Sequence, residues 1–285
     1  MIIAHPTYQD YVLDTYLGWR EEGRRCALLT LIATTGGSPR PVGSQMAVCE
    51  DGRHVGMITG GCAEAALVHD AIAAIDQGSD YIERYGEGSR FKDITLPCGA
   101  GLDIHFAVTL DDDEVRRVAS SRAARQPAQM TVGGFVRHYR PAGRIVIVGQ
   151  GPIVIMLAKL AVMAEMETVI YSPDVMVADR LTNVRTLRDD SDFNADVLDA
   201  DSALVTLFHD HAFEPLILKA ALNSPAFYIG ALGSKRAHQA RLESLNGHGD
   251  VARIHGPVGL DIGAKTPPEI AMSIMAQIIE HWRRK

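Results

Sequence analysis

The chain has 285 residues, long for one domain and ample for two. Apolar residues make up 47% and charged residues 22%, the balance of a globular protein with enough material for a sizeable core. A formal net charge of −7 argues against a nucleic-acid-binding face or an anionic-membrane face, while leaving room for a local basic pocket.

The opening MIIAHPTYQDYVL has neither the basic start nor the long apolar run of a secretory signal, so a cytoplasmic location is expected. Apolar residues at Tyr8, Tyr11, Val12, Tyr16 and Trp19 predict a helix over 8–22 that stops at Gly23. A strand over 26–33 runs into Thr34-Thr35-Gly36-Gly37-Ser38-Pro39-Arg40-Pro41, a dense loop signal. Short strands follow at 45–49 and 55–58 around the turn Glu50-Asp51-Gly52, and then Thr59-Gly60-Gly61-Cys62 leads into an alanine-rich helix over 63–76 closed by Gly78. Strands at 81–85 and 101–108 flank a loop holding Pro97-Cys98-Gly99, a polar helix is expected over 111–126, and Gly133-Gly134 marks a hairpin within 129–139.

At Arg144 the texture changes. Ile145–Val148 is a continuous apolar strand of the kind a parallel sheet buries on both faces. The stretch from Ile145 to Ala164 is membrane-like by hydropathy alone, but Gly149-Gln150-Gly151-Pro152 and Lys159 make it strand, turn and helix. Strands at 168–171, 202–208 and 227–229 alternate with helices at 153–165, 215–222 and 235–245, which implies a doubly wound parallel sheet. Thr266-Pro267-Pro268-Glu269 carries the signs of a capped helix start. The expected organisation is an N-terminal α/β domain over 1–115, a connecting segment over 116–141, and a Rossmann-like α/β domain over 142–285.

Several features suit ligand chemistry, each beside a plainer reading. Gly60-Gly61-Cys62 sets a thiol beside a helix N-terminus, where dipole and free N–H groups favour a thiolate, although Glu64 opposes this; the plainer reading is a small buried residue. Cys98 sits in a glycine-rich loop that allows close approach by a ligand. Cys26 and Cys49 fall in strands and read as core. Gly149 and Gly151 form a partial dinucleotide fingerprint, with Val154 in the third glycine position and Asp174 placed to reach a ribose hydroxyl. His209-Asp210-His211 follows a strand, where metal binding competes with a capped turn, and no metal is assigned. Gly233-Ser234-Lys235-Arg236 opens a helix and suits a phosphate, and Arg40 beside Ser38 suits one in the first half.

Taken together, these segments resemble the xanthine dehydrogenase accessory protein family of XdhC/CoxI type. The resemblance runs through Gly37–Met46, Ile58–Glu64, Cys98-Gly99, Thr206–His211, Tyr228–Arg236 and Pro257–Ala271, nearly the whole chain. It implies a chaperone that receives the molybdenum cofactor (molybdopterin), protects it, supports its sulfuration by a cysteine desulfurase, and delivers it to a molybdenum hydroxylase apo-enzyme. It carries over Cys62 and Cys98 as cofactor contacts and Gly233, Ser234, Lys235 and Arg236 as a pattern without an assigned role; Gly60, Gly61, Arg40, Gly149, Gly151, His209, Ser234 and Lys235 are further candidates from the loop and strand-end readings above. No catalytic residue is assigned, and a homodimer is expected because such a protein must offer docking surfaces. Two other readings compete: an NAD(P)-binding oxidoreductase built on Gly149–Gly151, and a thiol-based sulfur carrier built on Cys62 and Cys98.

Overall fold

Strand-forming runs and helix periodicity alternate along the whole sequence, and the computed structural model resolves them into two compact units, Met1–Pro141 and Ala142–Lys285. Residues 10–38, 40–89, 99–208 and 214–285 are described.

The first unit contains α1 (Leu13–Glu21), β1 (Cys26–Thr35), β2 (Gln45–Cys49), β3 (His54–Gly56), α2 (Glu64–Gln77), β4 (Tyr81–Gly86), β5 (Gly101–Ala107), α3 (Asp112–Ala123), β6 (Ala128–Val132) and β7 (Phe135–Tyr139). Five strands make an antiparallel sheet in the order β3-β2-β1-β5-β4. Alternation along β1 sends Ala27, Leu29 and Leu31 to the face covered by α2, with Leu67, Ala71, Ala74 and Ile75 packed on them. Cys26 and Leu28 go to the opposite face, under α1, α3 and the β6–β7 hairpin. Residues 116–141, expected to connect the halves, lie in this unit, because Val118, Met130, Val132 and Tyr139 bury into that second layer. The helix at 64–77 ends as its sequence requires: Gly78 takes φ 68°, a left-handed cap that costs glycine little.

The second unit contains β8 (Arg144–Gly149), α4 (Pro152–Met163), β9 (Glu167–Ser172), α5 (Val175–Ala178), β10 (Val184–Thr186), β11 (Ser202–Leu207), α6 (Glu214–Leu222), β12 (Tyr228–Ala231), α7 (Lys235–Ser244), β13 (Ile254–His255) and α8 (Pro267–Arg284). Its six strands are parallel in the order β10-β9-β8-β11-β12-β13. This is the Rossmann arrangement, with a topological switch point between the ends of β8 and β11. Helices α4 and α8 cover one face and α6 and α7 the other, so Ile145, Val146, Ile147 and Val148 are wholly buried, two toward each layer. Burial of such side chains stabilises by roughly 1.5–3 kcal/mol each. Helix α8 begins at the expected capping box, Glu269 accepting from the N–H of Thr266 at 2.9 Å. Among the described residues no helix is long and apolar enough to cross a membrane.

Candidate functional site

Strand register decides which loops meet. In the first unit Thr35 pairs with Gly101, Gly86 with Gly101, Thr30 with Gln45, and Met46 with Gly56. The connections leaving β1, β3 and β4 therefore emerge from one end of the sheet. They are the β1–β2 connection, of which 36–38 and 40–44 are described, residues 57–63, and the β4–β5 connection, of which 87–89 and 99–100 are described. The first and last touch through backbone: Gly36 has φ 76°, and a Cβ there would come 3.3 Å from the Gly99 carbonyl oxygen. Arg84 locks the same corner. Its guanidinium donates to Thr35 Oγ1 at 2.9 Å, to Asp103 Oδ1 at 2.9 Å and to the Glu87 carbonyl at 2.8 Å. A side chain on Gly101 would collide with it.

The Gly60-Gly61-Cys62 segment is exposed, and both glycines adopt positive φ, 80° and 106°. Cys62 is a free, exposed thiol at the entrance to α2. Glu64, the first residue of α2, shapes this segment. Its carboxylate accepts from the N–H groups of Ile58 at 3.1 Å, Thr59 at 2.7 Å and Gly61 at 2.7 Å, and from the Thr59 hydroxyl at 2.5 Å. Thr59 Oγ1 in turn accepts from the Ala63 N–H at 2.9 Å. Burial disfavours the charged carboxylate, but the Thr59 hydroxyl and the backbone N–H groups outweigh it and hold Glu64 below the ordinary carboxylate range. Sequence reasoning treated Glu64 only as a charge opposing a thiolate. The spacing of Thr59 and Glu64 across a Gly-Gly turn was the available signal, since an acidic residue in the first helical turn gathers N–H groups.

The remaining candidates of this unit behave differently. Ser38 donates from its hydroxyl to the Arg40 carbonyl at 2.8 Å, tightening the glycine–proline loop. Arg40 is ion-paired with Asp10. Cys98 lies outside the described residues, as do His209, Asp210 and His211 in the second unit.

At the C-terminal edge of the parallel sheet, Gly149 lets β8 and β11 approach closely; a Cβ there would stand 2.5 Å from the Leu207 carbonyl oxygen. The turn that follows spends its donors internally. The Gln150 N–H bonds to Leu207 O at 3.2 Å, the Gly151 N–H to Asp174 Oδ2 at 3.0 Å, and Pro152 has no N–H. Asp174, expected near a ribose hydroxyl, instead uses its other oxygen to cap α5 through the Met176 N–H at 2.9 Å. An incoming diphosphate would face a carboxylate where a nucleotide-binding turn offers free N–H groups, which disfavours NAD(P). Ser234 caps α7, accepting from the Ala237 N–H at 3.1 Å, while Ser234 and Lys235 remain exposed on the same strand edge.

Behind that edge lies a pair that the sequence did not disclose. Arg241 Nε and Nη2 donate to Glu214 Oε2 and Oε1, both at 3.1 Å, with side chains 4% and 2% exposed. Thr206 Oγ1 donates to Glu214 at 2.8 Å, and Arg241 donates to the Leu232 carbonyl at 2.7 Å. One ion pair thus joins β11, α6, α7 and the loop that carries Ser234 and Lys235.

Comparison with known proteins gives the same division of the chain. The model of the XdhC and CoxI family matches residues 19–86, and that of the XdhC Rossmann domain matches residues 145–278. The molybdenum cofactor insertion chaperone PaoD of Escherichia coli (strain K12) is 33% identical over 280 residues, covering 90% of this chain and 83% of its own. A probable xanthine dehydrogenase subunit from Bacillus subtilis (strain 168) is 26% identical, covering 96% of this chain and 97% of its own. A crystal structure of a xanthine dehydrogenase from Bacillus halodurans has the same fold, with a TM-score of 0.81 at 22% identity over 96% of each chain.

Proposed function

The chain belongs to the XdhC and CoxI family, and on that premise we propose that it is a cytoplasmic chaperone for the molybdenum cofactor. It receives molybdopterin as cargo, supports sulfuration by a cysteine desulfurase, and delivers the product to the apo-form of a xanthine-dehydrogenase-like hydroxylase. The observation that carries this reading is the 33% identity with an insertion chaperone over 90% of the chain.

The geometry supports it chemically. A cofactor with dithiolene sulfurs, an oxidisable metal and a phosphate needs soft contacts, close backbone approach and an anion site. The loop end of the first unit offers an exposed thiol at Cys62 and the permissive backbone of Gly60 and Gly61, with Gly99 against Gly36 beside it. In this reading Cys62 and Cys98 contact the cargo. Ser234 and Lys235 at the Rossmann edge are the anion-binding candidates, because the Gly149–Gly151 turn has its donors engaged. Arg40 enters only if its pairing with Asp10 opens. The protein works as a homodimer.

A transfer assay tests the proposal. The chain loaded with molybdenum cofactor is mixed with cofactor-free hydroxylase, and the appearance of hydroxylase activity is followed. The chain is expected to raise the yield of active enzyme above that from free cofactor. Equal yields with and without it reject the chaperone reading.

A further inference from the structure

Strands β1 and β2 set two thiols face to face. Cys26 is the register partner of Cys49. The Glu50 N–H bonds to the Arg25 carbonyl and the Leu31 N–H to the Ser44 carbonyl, so counting along the ladder makes Cys26–Cys49 a non-hydrogen-bonded pair. In such pairs Cα atoms are about 4.5 Å apart and side chains converge on one face, within the roughly 4.4–6.8 Å that a disulfide spans. Both thiols are free and buried, 2% and 0% exposed.

A cation attends one of them. Arg53 donates from Nη2 to Cys49 Sγ at 3.8 Å. Its guanidinium lies 5.4 Å from the centre of the Trp19 ring and is tethered by Asp51 and Glu22. Arg53 itself is 45% exposed along its side chain, so the cation beside Cys49 reaches solvent. Apolar packing explains a buried cysteine, but it does not explain a guanidinium placed on its sulfur.

We propose that Cys26 and Cys49 form a redox-active dithiol that closes to a disulfide under hydroperoxide. Cys49, beside Arg53, attacks the terminal peroxide oxygen: an S–O bond forms, the O–O bond breaks, and the leaving alkoxide or hydroxide takes up the thiol proton as alcohol or water. Cys26 then attacks the sulfenic sulfur of Cys49: an S–S bond forms, the S–O bond breaks, and the sulfenic hydroxide leaves with the Cys26 proton as water. Two thiols are oxidised by two electrons and one hydroperoxide is reduced. Burial and the neighbouring Cys49 push the Cys26 thiol up to about 12, so its attack draws on a small thiolate fraction and is the slower of the two steps. The proposal stands apart from the cofactor reading, since neither thiol lies in the loop cluster.

Peptide mapping of the full chain decides it. Arg40 precedes Pro41, which trypsin leaves uncut, so Cys26 and Cys49 fall in one peptide ending at Arg53. After brief peroxide treatment and alkylation in denaturant, that peptide should appear unalkylated and two hydrogens lighter. Reduction should restore its doubly alkylated form, and the oxidised protein should melt several degrees higher than the reduced one. Recovery of the peptide only in doubly alkylated form, at peroxide doses that consume the exposed Cys62 thiol, overturns the proposal. Arg53→Gln should slow closure several-fold with the same end point, and an unchanged rate removes Arg53 from the mechanism.

Discussion

Glu64 shows how one side chain can decide the shape of a loop. Three N–H groups and a hydroxyl converge on its carboxylate. Glu64→Ala leaves those donors without their charged acceptor and is expected to cost about 2 kcal/mol, read as a lowered urea midpoint. Glu64→Gln, which keeps the size and one acceptor oxygen, should cost less than half of that. Equal stability of wild type and Glu64→Ala would show the loop to be held by something else. The pH dependence has a defined sign: because the folded-state value is lowered, the contribution is full above the ordinary carboxylate value. It is lost as pH falls through the folded one. The same residue explains why the thiol at Cys62 could be found in the sequence while its setting could not. Gly60-Gly61 before an alanine-rich helix announces an open turn. Which N–H groups remain available depends on where a nearby carboxylate folds back.

At the scale of elements, the long members were legible and two short edge strands were not. Ile145–Val148 and residues 202–208 read as buried parallel strands because their apolar runs carry no charged side chain, and the strands found there, Arg144–Gly149 and Ser202–Leu207, are buried along nearly their whole length. The strands at Val184–Thr186 and Ile254–His255 carry too few residues for any period to show, yet they complete the two edges of the sheet. Their place is set by backbone pairing with β9 and β12. The Glu214–Arg241 pair escaped for another reason, since 27 residues separate its members and only the packing of α6 against α7 unites them. Glu214→Ala buries an uncompensated guanidinium and is expected to destabilise the second unit by about 3–5 kcal/mol. Glu214→Leu combined with Arg241→Met should recover most of that loss, measured by urea unfolding. A double variant as unstable as the single one would mean that the carboxylate's bond to Thr206 matters more than the pairing.

At the scale of the whole molecule, each unit has its own buried layers, and in each of them burial disfavours protonation of at least one histidine. Burial pushes His105 of the first unit below the ordinary histidine value, with Asp80 opposing. Burial does the same to His238, assisted by Arg241, and to His255, assisted by His281 and His238. The unfolded chain takes up protons on these groups as pH falls below about 6.5, while the folded chain resists, so stability is full above that value and declines below it. The urea midpoint should therefore fall between about pH 7 and about pH 5.5, before carboxylates begin to titrate, and a flat or rising midpoint would contradict this. The central claim concerns cargo, and titration of the purified chain with molybdopterin tests it most directly. The account predicts saturable binding by the wild type, weakened about tenfold or more by Cys62→Ala or Cys98→Ala, with both variants folded. A wild-type chain that binds no molybdopterin would contradict it.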